Sequence, residues 1–193
     1  MDICVFGAAS DLIDKSYIDA TEKLGEIMAK RGHNLVFGAG FNGLMGAIAR
    51  GIHTGGGSVW GIIPKFFKTQ TVEQIYSNAD KIVFTETMAE RKTMMEDLSE
   101  AFIIVPGGIG TFEEFFQVLT LKQLGRHTKP IAIYNINGYY DQLKTFMQAA
   151  IDKKFVKDKC NELFQYFDDP VKLLEYIENT TRIEYDVHEL KNG

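Results

Sequence analysis

The stretch VPGGIGTFEE (105–114) sets three glycines and a threonine between an apolar run and a phenylalanine-rich one, and it ends on two adjacent carboxylates. A backbone that bare suits either a tight turn that merely starts a helix or a cradle whose main-chain N–H groups close on a phosphate. Thr111 and Glu114 have the spacing of a capping box, as do Thr87 and Glu90, in which hydroxyl and carboxylate satisfy orphan N–H groups. Glu113 and Glu114 project about 100° apart on a helix, so at most one easily faces a crevice. At Glu114, in the first turn beside the glycines, a carboxylate has the chemistry to polarise water or to stabilise positive charge developing on a sugar. Arg91 and Lys92 fall early in another expected helix, where the dipole disfavours cations unless an anion faces them. Their partner is a surface carboxylate (Glu86, Glu90 or Glu96), a phosphorylated ligand, or Glu114 itself.

These residues need elements to hold them. ICVFGAA (3–9), NLVFGAG (34–40), SVWGIIP (58–64), KIVFTE (81–86), AFIIVP (101–106) and PIAIYN (130–135) are apolar runs that read as strands, with a further short strand at LFQYF. Between them, Tyr17, Ala20, Leu24, Ile27 and Met28 recur at helical spacing up to Arg31, and Gly32 stands where a C′ glycine stops a helix. Helices are also expected over GLMGAIARGIHTGGG, MAERKTMMEDLSE, FEEFFQVLTLKQLG, residues 139–153 and PVKLLEYIEN. Strands alternating with helices, and apolar throughout, predict a mainly parallel sheet covered on both faces: a single doubly wound, Rossmann-like α/β domain over 1–180. Residues 181–193 read as a loosely held polar tail. Residues 65–80 form the longest stretch without a clear element, of a size often used as a lid.

At 193 residues, 45% hydrophobic and 24% charged, the chain suits one globular domain with a full core. A net charge of −5 argues against a duplex-binding surface, which draws on clustered Lys and Arg, but leaves room for a small anion in a local pocket. The start MDICVFGAAS lacks the basic lead of a secretory signal, and no apolar run approaches a membrane span, so a cytoplasmic location is expected. Cys4 and Cys160 stand apart, and His33, His53, His127 and His188 are scattered, so neither a disulfide framework nor a metal is expected.

Three strand ends are bare: FGAAS (6–10), FGAGFNGLMG (37–46) and VPGGIGT (105–111). In doubly wound sheets ligands bind beyond the carboxyl ends of the strands, where strand order reverses, so three such ends mark one site. GAGFNG fits Gly-x-Gly-x-x-Gly from Gly38 to Gly43, but it follows the second strand and lacks the acid about 20 residues on that would hold a ribose. A hydride-transfer enzyme is therefore disfavoured, and without Gly-Lys-Ser/Thr so is a P-loop nucleotidase. The helix FEEFFQVLTLKQLG is apolar on most sides, from Phe112 to Leu124, more than one sheet covers, and this predicts a homodimer that buries it.

With these residues in view, the chain resembles the LONELY GUY family of cytokinin riboside 5′-monophosphate phosphoribohydrolases, long mislabelled as lysine decarboxylases. The family pattern Pro-Gly-Gly-x-Gly-Thr-x-x-Glu is matched by Pro106, Gly107, Gly108, Gly110, Thr111 and Glu114. MAERKTMM resembles the second family motif, and the similarity extends over roughly 2–135. The resemblance implies a hydrolase that cleaves the N-glycosidic bond between a purine base and ribose 5-phosphate, with no cofactor. It implies Arg91 and Glu114 as the catalytic pair, Gly107, Gly108, Gly110 and Thr111 around the phosphate, and Ser10, Gly40, Gly43, Met88, Lys92 and Glu113 as further substrate contacts. Two departures stand out: FGAAS where many members carry Cys-Gly-Ser-Ser, and GAG in place of three glycines. The competing implication is a non-catalytic nucleotide or molybdenum-cofactor carrier of the same fold, with a DNA-processing relative weakened by the acidic balance. Retention of both Arg91 and Glu114 favours the enzyme.

Overall fold

The computed structural model describes residues 1–67 and 74–191. Strands β1 (Asp2–Phe6), β2 (Asn34–Phe37), β3 (Val59–Pro64), β4 (Lys81–Thr85), β5 (Ala101–Ile104), β6 (Ile131–Tyr134) and β7 (Gln165–Phe167) form one sheet. Its order is β4, β3, β2, β1, β5, β6, β7, and every neighbouring pair is parallel. The expected parallel, doubly wound sheet is thus present, and the reversal of strand order falls between β1 and β5.

Alternate residues along each strand feed two cores. Ile3 and Val5 of β1 join Ile103 and Val105 on one face, against Leu24 and Met28 of α1 (Lys15–Lys30), Ile48 and Ile52 of α2 (Gly43–Thr54), and Leu173 and Ile177 of α6 (Pro170–Asn179). Cys4, Phe6, Phe102 and Ile104 face the other way. There they meet Met95 of α3 (Met88–Leu98), Phe115 and Val118 of α4 (Ile109–Gln123) and Met147 of α5 (Asp141–Asp152). Burying both faces accounts for strands that are apolar throughout rather than alternating.

Several expected boundaries shift. Helix α1 begins two residues before the first apolar contact, because Asp14 caps it by accepting from Ser16 N; Gly32 follows with φ of 79°, as a C′ glycine should. The helix predicted from Phe112 starts at Ile109. Its N-cap is Gly108, with no side-chain capping bond, so Thr111 sits inside the first turn and the Thr111–Glu114 capping box is not formed. Thr87 does cap α3, accepting from Glu90 N, but the Glu90 carboxylate reaches Glu86 N, one residue earlier than a reciprocal box requires. Part of the segment read as a tail is held in place: Leu190, in α7 (Val187–Leu190), is 1% exposed, and its carbonyl accepts from Gln123 and Cys160. The lid expected over 65–80 falls partly on residues 68–73, outside the described residues. Among the described residues no helix is long and apolar enough to cross a membrane.

Candidate active site

All three bare strand ends lie on the carboxyl edge of the sheet, and the chemistry-bearing residues gather there. Pro106 to Gly108 lead from β5 into α4. Phe112 N bonds to Gly108 O, while the N–H groups of Gly108, Ile109, Gly110 and Thr111 have no partner among the described residues. Gly108 and Gly110 are exposed, and a Cβ on either would meet nothing within 4 Å. A Cβ on Gly107 would overlap the Thr111 side chain, which is 4% exposed. The loop is therefore packed from below and open from above, with unpaired donors at the positive end of a long helix: the geometry of an anion cradle.

Two tyrosines brace this loop. Tyr139 Oη donates to Gly107 O at 2.6 Å and Tyr140 Oη to Val105 O at 2.8 Å. Burial pushes the Tyr140 phenol above its ordinary range, so it stays a donor. Neither tyrosine was legible as a site residue, since only the fold brings the turn after β6 onto the glycine loop. Beside them a cavity of about 260 Å³ opens between β1 and β5, lined by Ile13, Tyr17, Leu44, Pro106 and Tyr139.

Arg91 is 6% exposed. Its Nε donates to Ile62 O at 3.2 Å and its Nη2 to Gly38 O at 3.4 Å, while Nη1 lies 3.7 Å from Met88 Sδ. The guanidinium is thus fixed by the carboxyl ends of β2 and β3, whose carbonyls offset much of the cost of burying a cation. A Cβ on Gly38 would collide with Nη2, so a residue of GAG makes room for Arg91. Glu114, one turn into α4, is half-buried. Both side chains bear on Cys4 beneath them: burial holds its thiol well above the ordinary range, Glu114 adds to the rise, and Arg91 opposes it. Arg91 and Glu114 therefore share one end of the sheet, on the same face, beside the cradle.

Lys92 pairs with Glu113, so these two sequence-predicted substrate contacts meet each other. Met88 touches Arg91. Ser10 lines the cavity together with Gly107 and Gly108, and its Oγ accepts from Leu12 N. Gly43 and its neighbours are not available as an anion site. Gly43 N donates to Asp11 Oδ1, Leu44 N and Met45 N donate to Ala8 O, and a φ of 58° folds Gly43 onto the β1 loop. Gly40 lies in an antiparallel bridge with Ile75, whose hydrogen bonds are made by its neighbours Ala39 O and Phe41 N. Loop hydrogen bonds take up Gly43 N and flank Gly40, whereas the N–H groups of Gly108 to Thr111 have no partner among the described residues.

Comparisons with known proteins agree with this geometry. The family described as "Possible lysine decarboxylase" matches residues 45–177. A cytokinin riboside 5′-monophosphate phosphoribohydrolase of Arabidopsis thaliana is 38% identical over 176 residues, covering 91% of this chain and 82% of its own length. A second Arabidopsis thaliana protein of that name is 39% identical over 166 residues, covering 83% and 74%. Among solved structures, the molybdenum cofactor binding protein of the phototrophic bacterium Rippkaea orientalis superposes with a TM-score of 0.69 over 92% of this chain and 94% of its own. At 19% identity that likeness is one of fold alone.

Proposed function

The chain belongs to the family of cytokinin riboside 5′-monophosphate phosphoribohydrolases, and from that membership we propose that it hydrolyses the N-glycosidic bond of a purine nucleoside 5′-monophosphate, AMP or an N6-modified AMP, to free base and ribose 5-phosphate. The observation that carries the reading is the open row of N–H groups from Gly108 to Thr111, set beside a buried Arg91 and a half-buried Glu114.

In this reading the 5′-phosphate seats on the α4 N-terminus and places the ribose over the first turn of the helix. The bond from C1′ to the base nitrogen breaks with its electron pair leaving on the base, and positive charge develops on the sugar. The Glu114 carboxylate stabilises that charge and aligns the water whose oxygen attacks C1′. Of the water's two protons, one ends on the C1′ hydroxyl of the product and the other neutralises the departing base. Arg91, already fixed by Gly38 O and Ile62 O, orients the ribose or the carboxylate without further ordering. We further propose that the protein acts as a cytoplasmic homodimer. Phe116 and Ile109 on α4 remain 37% and 88% exposed, in keeping with a second subunit on that face.

The test is chromatographic. Purified protein is incubated with AMP and with isopentenyladenosine monophosphate, and free base is quantified beside a Glu114→Gln variant. Base released by the wild type and lost in the variant supports the reaction and ranks the substrates. Binding without release moves the reading to a nucleotide carrier, and a mass that stays monomeric at all concentrations removes the dimer.

A further inference from the structure

Tyr76 sits at the centre of a cluster that the proposed reaction does not use. Its ring is 4% exposed and lies 6.1 Å from the rings of both Phe37 and Phe41 and 5.7 Å from His53. Its hydroxyl is 3.0 Å from His53 Nδ1, and His53 Nε2 is 3.2 Å from Asp80 Oδ2. Asp80 is itself fixed by Val59 N at 2.8 Å. A carboxylate accepts only, so Nε2 carries the ring proton and Nδ1 accepts from the tyrosine. Burial raises the phenol above its ordinary range, which keeps that proton in place.

The backbone of the same segment grips the loop after β2. Tyr76 N donates to Ala39 O and Phe41 N to Gln74 O, both at 2.8 Å, around the bridge between Gly40 and Ile75. Ala39 is fully buried with φ of 62°, a left-handed conformation that is unfavourable for a residue with a Cβ and persists only where its surroundings impose it. Ala39 follows directly on Gly38, whose carbonyl accepts from Arg91 Nη2. The chain of contacts therefore runs from Asp80 through His53 and Tyr76 to Ala39, and from there to the guanidinium.

We infer that Tyr76, locked by His53 and Asp80, is a positioning residue for Arg91: it holds the strained turn at Ala39 so that the Gly38 carbonyl fixes the guanidinium in the site. The inference takes its catalytic consequence from the proposed hydrolysis, while the holding of Arg91 is observable apart from it.

Two readouts on the full chain test it. By NMR, exchange of the Arg91 Nη2–H held by Gly38 O is expected to be at least about tenfold faster in Tyr76→Leu than in the wild type, as local opening predicts. In kinetics with AMP, Tyr76→Leu is expected to lower kcat about tenfold with KM within about twofold, since the glycine loop is untouched. Tyr76→Phe, which keeps the ring but loses the hydrogen bond to His53, should show a loss intermediate between wild type and Tyr76→Leu. In an Arg91→Lys background Tyr76→Leu should lower kcat no further, whereas a merely structural role would multiply the losses. His53→Ala leaves the aromatic packing of Tyr76 on Phe37 in place and carries the same tests where Tyr76→Leu does not yield folded protein. Unchanged Nη2–H exchange, or multiplying losses, would overturn the inference. A wild type that binds AMP without releasing base would instead overturn the proposed reaction, leaving the exchange measurement to decide the role of Tyr76.

Discussion

Lys92 of α3 and Glu113 of α4 form an ion pair, and each is the chain neighbour of a residue with proposed chemistry, Arg91 and Glu114. The pair spans the two helices that carry the site. The Lys92 side chain is 19% exposed and that of Glu113 is 51% exposed, so the bond is worth about 0.2–1 kcal/mol and neither substitution should threaten the fold. Its expected effect is on substrate. Lys92→Met removes a cation near the phosphate cradle and should raise KM for AMP about tenfold, while Glu113→Gln frees Lys92 and should lower KM or leave it unchanged. Steady-state kinetics on the two variants check this, and an equal rise in KM for both would make the pair a strut alone.

The glycine loop gives a second contrast. Ala at Gly108 or Gly110 meets open space, so melting temperature should stay within about 2 °C while a methyl group crowds the phosphate and raises KM at least about tenfold. Ala at Gly107 strikes Thr111 and should lower stability by about 1–3 kcal/mol as well. Melting curves beside AMP titrations separate the open face of the loop from its packed one.

Gly38→Ala places a methyl group where Arg91 Nη2 lies. The guanidinium must leave Gly38 O, whereas the donors of Gly108 to Thr111 are untouched. Turnover should fall about 100-fold with KM little changed, matching Arg91→Ala rather than a cradle variant. Loss of AMP binding in Gly38→Ala, measured by calorimetry, would place Arg91 in phosphate recognition instead.

The fold was largely legible because its signals are local. Apolar runs such as AFII and IAIY announce buried parallel strands, and Gly32 announces a helix end. The glycine loop was legible as a cradle candidate because missing side chains are themselves a signal. What escaped depends on contacts between distant segments. Tyr139 and Tyr140 reach the loop only through the 3₁₀ turn at Ile136–Gly138, and Asp11 takes the Gly43 N–H only because α2 docks beside β1. Capping-box spacing at Thr111 misled because Gly108, four residues before Phe112, supplies the N-cap from its backbone. Residues 181–193 read as a tail because one buried leucine, Leu190, leaves no periodic trace.

His127 makes the last expectation one of pH. Its Nε2 donates to Val118 O at 2.9 Å and its Nδ1 accepts from Lys129 N at 3.2 Å, so the folded site needs a neutral ring. Burial, the largest cause, pulls its pKa from 6.5 down to about 4. The unfolded chain therefore binds more protons than the folded one between about pH 6.5 and 4, and folding stability must fall as pH drops through that window. Above it the contribution is complete and flat. Comparing wild type with His127→Gln cancels the carboxylates common to both. The melting temperature of the wild type should drop by on the order of 3 °C more than that of the variant between pH 7 and 4, a modest figure because the ring is only partly shielded. Parallel melting curves across that range would mean that the ring takes up its proton in the folded protein as readily as in the unfolded chain.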